Sequence, residues 1–212
     1  MIHGNEKVNI LAIGPHPDDI EIGCGATLTK YAAKGHNVFL FIATDGSAGG
    51  DPVQRRREQE DSGQIIGAKA IFWGEYEDTR IEIHKEAIDK VEQTIRQVKP
   101  DLIFVNYLQD THQDHRHMAA IATSATRYVR NVLYYETPTT QEFQPNIFVD
   151  FGKEHLKIKE KLLLAHASQV DRTNITNLSI LEVARSSAHF RGMQARVAYA
   201  EAFQSVRLFL NI

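Results

Sequence analysis

The chain has almost no cysteine and no long apolar run, and each absence narrows what it can be. Cys24 is the only cysteine among 212 residues, so no internal disulfide can form and the sequence does not indicate an oxidising compartment. Its neighbours Gly23 and Gly25 favour a small packed residue over a nucleophile, because no helper base stands nearby. No apolar run reaches the roughly 18 residues that indicate a membrane span.

Residues 1–7 also lack the basic and apolar regions of a secretory signal, so we expect a cytoplasmic protein. The formal net charge is only −3, with 24 basic and 27 acidic residues, which gives no electrostatic footprint for nucleic acid. No repeat, low-complexity tract or linker divides the chain, and its length suits one core. We therefore expect a single domain over residues 1–212 that neither spans a membrane nor binds nucleic acid.

Apolar segments alternate with helical patterns along the chain. The predicted strands are residues 8–14, 37–43, 69–73, 102–105, 131–135 and 206–210. The predicted helices are residues 26–34, 51–67, 83–98, 154–167 and 180–188. This alternation predicts a parallel sheet covered by helices on both faces. The expected fold is therefore a single-domain, Rossmann-like three-layer α/β sandwich with a mostly parallel central sheet.

Histidine and aspartate cluster just after two of the predicted strands. His16, Asp18 and Asp19 follow the first strand, and the histidine-rich segment 109–115 follows the fourth. Ligands of such sheets bind at the carboxyl ends of the strands. We therefore expect the two clusters to meet at one edge of the sheet.

The spacing of the first cluster favours a metal site. His16 and Asp19 are three residues apart on a turn, and the best third ligand lies in segment 109–115. One carboxylate and two imidazoles suit zinc, with a coordination position left for water. Such a site lowers the pKa of bound water and polarises a carbonyl. Asp18, which lies beside the ion without having to bind it, is the natural general base.

Other interpretations remain open at this point. A single histidine after a strand is often only a hydrogen-bonded polar residue, and Asp18 or Asp19 alone can cap the next helix. Among functions, clustered carboxylates also bind magnesium, as in a metal-dependent phosphoesterase. A non-catalytic sugar-binding or nucleotide-binding protein is the other alternative. The two imidazoles favour zinc, and the sequence has no Walker-type phosphate loop.

Five segments spread over nearly the whole chain resemble one known family. They are residues 16–19, Arg55 with Glu58, residues 112–115, residues 166–169, and Arg191-Gly192 with residues 199–203. In this order they resemble the PIG-L/LmbE-like deacetylases, which are zinc-dependent enzymes that remove acetyl groups from N-acetylglucosaminyl compounds. Two positions depart from the family pattern, Pro15 in place of alanine and Gln113 in place of proline, and neither removes a functional group.

The resemblance implies a division of roles within the two clusters. His16, Asp19 and His115 would hold the zinc, and Asp18 would be the general base. His112 would be the charged partner that stabilises the oxyanion and helps protonate the leaving amine.

The resemblance also implies roles for residues outside the ligand set. Asp114 would orient His112 and keep its pKa up, Arg55 would contact the sugar, and Tyr199 would make a polar contact with the substrate. The implied substrate is a small N-acetylated amino sugar, for which the short chain favours a soluble conjugate, and the implied assembly is a homo-oligomer. We expect His166 to be a structural residue bonded at its own helix–loop junction, and Arg55 to pair with Glu58.

Overall fold

Strands and helices alternate along residues 7–209, which the computed structural model describes. The strands are β1 (Asn9–Gly14), β2 (Asn37–Thr44), β3 (Ala70–Tyr76), β4 (Leu102–Asn106), β5 (Val132–Tyr135), β6 (Ile147–Asp150) and β7 (Ala200–Arg207). The helices are α1 (Asp19–Ala33), α2 (Pro52–Ile66), α3 (Lys85–Val98), α4 (Gln113–Ala125), α5 (Gly152–Ala165) and α6 (Ile180–Ala195).

The strands form one sheet in the order β3-β2-β1-β4-β5-β7-β6. The pairs from β3 to β5 are parallel, and β7 is antiparallel to both of its neighbours. The order reverses at β1, which pairs with β2 on one side and with β4 on the other. Open sheets of this kind bind ligands in the crevice at that reversal, outside the carboxyl ends of the strands. The expected mostly parallel sheet is confirmed.

Alternate side chains of β1 enter two separate cores. Ile10 and Ala12 pack with residues of α1, α2 and α5 on one face of the sheet. Leu11 and Ile13 pack with residues of α3 and α4 on the other. Because successive side chains of a strand point to opposite faces, a continuous apolar run is needed where both faces are covered. The three-layer α/β arrangement is thereby confirmed.

Helix α1 begins at Asp19, seven residues before the predicted start at residue 26. Gly23 and Gly25 weaken the helical pattern in the sequence, yet both lie inside the helix. A Cβ on Gly23 would come within 2.0 Å of the Tyr135 ring, so glycine is needed for close packing here. Cys24 is fully buried in the core between α1 and the sheet, which confirms the packing interpretation.

The C-terminal part of the sheet differs from the prediction. The last strand covers Ala200–Arg207 rather than residues 206–210, and position 210 lies outside the described residues. Strand β6 was not predicted, because it is a short edge strand whose side chains are only partly buried. Between residues 7 and 209, none of the helices combines the length and apolar character that crossing a membrane requires.

Candidate metal centre and active site

A cavity of about 520 Å³ opens at the carboxyl ends of the parallel strands. This volume lies within the range of small-molecule sites, ~300–1,000 Å³. Six of the eight site residues expected from the sequence line it, namely His16, Asp18, Asp19, Arg55, His112 and His115. The two clusters therefore meet where the reversal of strand order predicts.

The turn between β1 and α1 brings His16 and Asp19 together. The His16 amide donates to Asp19 Oδ2 at 3.0 Å, and His16 Nδ1 lies 3.1 Å from the same oxygen. Asp18, between them, has a φ of 98°, a conformation that is strained for a residue with a Cβ. Such strain at a site persists only where the surrounding structure enforces it, as this hydrogen-bonded turn does.

His115, in the first turn of α4, supplies the third donor. Its Nε2 lies 3.3 Å from Asp19 Oδ2, and donor atoms of His16, Asp19 and His115 all lie within 4.8 Å of one another. All three residues are buried. One carboxylate and two imidazoles held in this way fit a zinc ion and leave room for a water or substrate oxygen.

The remaining ring nitrogen of each histidine is engaged by a further carboxylate. His115 Nδ1 lies 3.1 Å from Asp110 Oδ2, and His16 Nε2 lies 3.0 Å from Asp78 Oδ1. A ring N–H donated to a carboxylate sets the tautomer and leaves the other nitrogen free to bind a metal. His16 would therefore bind through Nδ1 and His115 through Nε2.

The electrostatics of this cluster also favour a bound cation. Burial opposes ionisation of Asp19, but His115 and His16 hold the pKa of its carboxyl well below the usual range. Burial lowers the pKa of His115, yet Asp19 and Asp110 raise that pKa to about 9. A metal ion that displaces the imidazole protons would keep the same charge balance, so its binding should release protons.

Asp18 differs sharply from its neighbour Asp19. Burial raises the pKa of the Asp18 carboxyl to about 6, against the opposing effect of Arg55. Its side chain is 18% exposed and its Oδ2 accepts a hydrogen bond from Arg55 at 3.2 Å. A carboxylate with a pKa close to neutral pH, left outside the three-donor group, has the properties of a general base.

Arg55 reaches the site from α2, but its donors are largely used within the chain. Besides Asp18, it donates to the carbonyl oxygens of Pro17 at 2.6 Å and Gly46 at 3.2 Å. A Cβ on Gly46 or on Gly49 would come within 2.6 Å or 2.5 Å of the guanidinium, so the glycine-rich loop leaves room for it. The structure thus places Arg55 where it holds Asp18, while it also lines the cavity.

His112 caps α4 and differs from the expectation of a charged residue. Its Nδ1 accepts a hydrogen bond from the Asp114 amide at 3.2 Å, so the ring proton of the neutral form is on Nε2. Burial, followed by His16 and His115, lowers the pKa of His112. The expectation of a raised pKa is therefore wrong for this structure, because the ring is partly buried and lies beside two other imidazoles.

The carboxylate of Asp114 does not orient His112 as expected. It accepts hydrogen bonds from the amides of Thr79 at 2.7 Å and Ile81 at 3.3 Å, and it lies 3.3 Å from His16 Nε2. Asp114 therefore connects the segment after β3 to the first cluster. The hydrogen bond between the two residues instead runs through the Asp114 backbone amide, although the charge of Asp114 does raise the pKa of His112, as expected.

Three further expectations have different outcomes. Tyr199 lies outside the cavity lining and stacks against Phe151 with ring centroids 6.2 Å apart, so a substrate contact is not supported. Glu58 accepts hydrogen bonds from Ser168 and Gln54 rather than from Arg55. The His166 backbone does bond at its own junction, donating to the Leu163 carbonyl at 3.1 Å and accepting from the Gln169 amide at 2.8 Å, while its buried ring lines the cavity 3.7 Å from Glu21 of α1.

The sequence interpretation missed two parts of the cavity lining, Asp78 and the side chains contributed by residues 170–183. Asp78 comes two residues after the end of β3, so its position at the same edge of the sheet was a usable signal. Asp110 lay within the segment 109–115 but had no assigned role. Residues 170–183 carry no recognisable sequence motif, because apolar side chains in a connection between two helices do not by themselves indicate a binding site.

Comparisons with known proteins agree with this geometry. The family described as PIG-L: GlcNAc-PI de-N-acetylase matches residues 11–126, a span that contains both clusters. The uncharacterized deacetylase YaiS of Escherichia coli is 33% identical over 172 residues, covering 77% of this chain and 93% of that protein. The diacetylchitobiose deacetylase of Thermococcus kodakarensis is 27% identical over 196 residues, covering 78% and 71%.

A solved structure shares the architecture as well. The N,N'-diacetylchitobiose deacetylase of Pyrococcus horikoshii, in complex with an inhibitor, superposes with a TM-score of 0.80 at 27% identity. The match covers 93% of this chain and 83% of that one. With the profile match over more than half of the sequence and both His/Asp clusters inside it, the chain belongs to the PIG-L family of de-N-acetylases.

Proposed function

We propose that this protein is a zinc-dependent N-deacetylase that releases acetate and a free amine from a small N-acetylglucosaminyl conjugate. The observation that carries the proposal is the pairing of a buried donor set, His16, Asp19 and His115, with an adjacent carboxylate of raised pKa, Asp18. Relatives named as deacetylases, one of them for diacetylchitobiose, support it.

The chain's own residues supply the proton transfers of amide hydrolysis. Zinc, when bound, would lower the pKa of water and polarise the amide carbonyl. Asp18 takes one proton from the attacking water, and Arg55 keeps the carboxylate in place through its 3.2 Å hydrogen bond. As the C–N bond breaks, the same proton passes from Asp18 to the leaving nitrogen, which gives acetic acid and the amine. At neutral pH the acid then loses its proton and the amine takes one up, so that the products are acetate and the protonated free amine.

His112 is proposed to act as a neutral donor rather than as an imidazolium. Because Nδ1 accepts from the Asp114 amide, the proton on Nε2 is available for the carbonyl oxygen of the substrate. That oxygen gains negative charge during attack, and a donor already oriented towards it stabilises the transition state. This role needs no protonated histidine, in agreement with the lowered pKa.

The proposed function is tested with a panel of N-acetylglucosaminides assayed for free amine, using protein loaded with zinc, with magnesium or with neither. Zinc-dependent release of equal amounts of acetate and amine is the expected result. The same metal-loaded samples are also assayed with phosphate esters. Magnesium-dependent release of phosphate would indicate the metal-dependent phosphoesterase instead. Sugar binding without amine release would indicate a binding protein, and either outcome would overturn the proposal. The cytoplasmic location and the homo-oligomer stay predictions.

A further inference from the structure

Part of the cavity wall differs in chemistry from the metal end. The link between α5 and α6 lines the cavity together with α5 and the first turn of α6. Apart from Arg172, the large side chains of residues 170–183 at the cavity are apolar. They are Ile175 and Leu178 of the link and Ile180 and Val183 of α6, and Leu163 of α5 and Ile22 of α1 lie in the same lining. We call these six residues the apolar wall. They line the same cavity as the donors that would act on an acetyl group.

The segment is a closed loop with its own internal bonds. The Ile180 amide donates to the Val170 carbonyl at 2.9 Å, and the Leu178 amide donates to the Ile175 carbonyl at 3.2 Å. At its base, Gln169 donates to the Gly49 carbonyl at 3.3 Å. These bonds hold Ile175 at the cavity, where its side chain is 61% exposed and accessible to a ligand.

Charged and hydrogen-bonding groups are distributed unevenly around the cavity. The carboxylates in its lining are Asp18, Asp19 and Asp78, all at the metal end. The loop also contributes the polar side chains of Arg172, Thr173 and Asn174 to the lining, and Thr173 Oγ1 donates within the loop to the Leu178 carbonyl. The hydroxyl groups of a second sugar that face the apolar side chains of this wall would lack partners, and buried polar groups without partners are costly.

We infer that the apolar wall is the aglycone subsite, and that it selects an N-acetylglucosaminide whose aglycone is a short alkyl or aryl group over one whose aglycone is a second sugar. The inference rests on the proposed function, since the acetamido group must lie at the metal end for the aglycone to reach the wall. It names Ile175 and Leu178 as residues that determine specificity.

The test compares hexyl 2-acetamido-2-deoxy-β-D-glucopyranoside with N,N'-diacetylchitobiose on the zinc-loaded protein. We expect kcat/KM for amine release to be about tenfold higher for the hexyl glycoside. Ile175→Ser should lower that value about fivefold, so that the ratio of kcat/KM for the hexyl glycoside to kcat/KM for diacetylchitobiose falls. Ile65→Ser is the matched control, because Ile65 is 42% exposed on α2 and lies outside the cavity lining.

Equal or better turnover of diacetylchitobiose would overturn the inference, as would an unchanged ratio in Ile175→Ser. Failure of every substrate to release amine would count against the proposed function instead. Calorimetric titration with the hexyl glycoside then decides the subsite separately. Binding that is tighter than that of diacetylchitobiose and weaker in Ile175→Ser supports the subsite, and equal binding of the two glycosides contradicts it.

Discussion

Two adjacent aspartates in the same turn have opposite electrostatic environments. Asp19 contacts two imidazoles that hold its pKa well below the usual range, whereas burial raises the pKa of Asp18 to about 6. The difference comes from the neighbours of the two side chains, since Asp19 lies against His16 and His115 and Asp18 lies against Arg55. One carboxylate is thereby suited to hold a cation and the other to accept a proton.

Asp110 gives a prediction at the residue scale. Asp110→Asn removes the charged acceptor that lies 3.1 Å from His115 Nδ1, so the ring loses its orienting partner and part of its basicity. We expect zinc affinity to fall by about 10- to 100-fold, measured by competition with a chromophoric chelator. Asp89→Asn is the control, because the Asp89 side chain lies half-exposed on α3. Unchanged zinc affinity in Asp110→Asn would contradict the assigned role.

Single residues were predictable where their chemistry is unusual. His16 and Asp19 stand out because they belong to one of two His/Asp clusters that follow two strands of the same sheet, and the resemblance selected His115 within the second cluster. The roles of Asp114 and Arg55 depend on hydrogen bonds to Thr79, Ile81, Pro17 and Gly46. Such bonds to the backbone have no signature in the sequence, so they emerged only from the structure.

At the scale of elements, α1 is held in its middle by a buried ion pair. Glu201 of β7 accepts hydrogen bonds from the amides of Ala26 at 3.0 Å and Thr27 at 2.7 Å. Lys159 of α5 donates to the Ile22 carbonyl and to Glu201, both at 2.6 Å. These contacts from β7 and α5 hold α1 in place, and the first turn of α1 carries Asp19.

Glu201→Gln should therefore destabilise the fold. The change leaves the Lys159 ammonium buried without its carboxylate, and breaking a buried pair in this way costs about 3–5 kcal/mol of unfolding free energy. Denaturant unfolding followed by circular dichroism measures the loss. Glu154→Gln on α5 is the control, because its pair with Lys157 is exposed and should leave the unfolding midpoint unchanged. A similar midpoint for both variants would contradict the proposed restraint of α1.

The elements could be predicted where one signal dominates. Asp51 and Pro52 mark the start of α2 correctly, since the Asp51 carboxylate accepts from the Val53 amide at 2.8 Å. The start of α1 was missed because Gly23 and Gly25 argue against a helix locally, while contact with Tyr135 and other core residues overrides that preference. Strand β6 was missed because pairing with β7, a long-range contact, is what makes it a strand.

At the scale of the whole molecule, the alternation of strands and helices was enough to predict the layers and the functional edge of the sheet. The antiparallel pairing of β5, β7 and β6 could not be predicted, because apolar runs do not record strand direction. The homo-oligomer remains a prediction that light scattering of the purified protein can test.

Zinc should stabilise the folded molecule as a whole. Its donors come from the turn before α1 and from α4, so a bound ion links elements from both faces of the sheet. At a free zinc concentration of about 100 times Kd, binding to the native state alone adds roughly 2.7 kcal/mol. Thermal unfolding of metal-free protein should therefore shift to higher temperature on addition of zinc. His115→Ala should lose the shift, and an equal shift in that variant would place the ion elsewhere.

The most direct test of the account is Asp18→Asn, measured for both zinc content and deacetylation rate. The amide cannot accept the proton of water, so the rate should fall by about 10²- to 10⁴-fold, while zinc content stays equal to that of the unchanged protein. Asp61→Asn, an exposed change on α2, should alter neither quantity. If Asp18→Asn kept its rate, or lost its zinc together with its rate, the separation of Asp18 as base from Asp19 as ligand would be wrong.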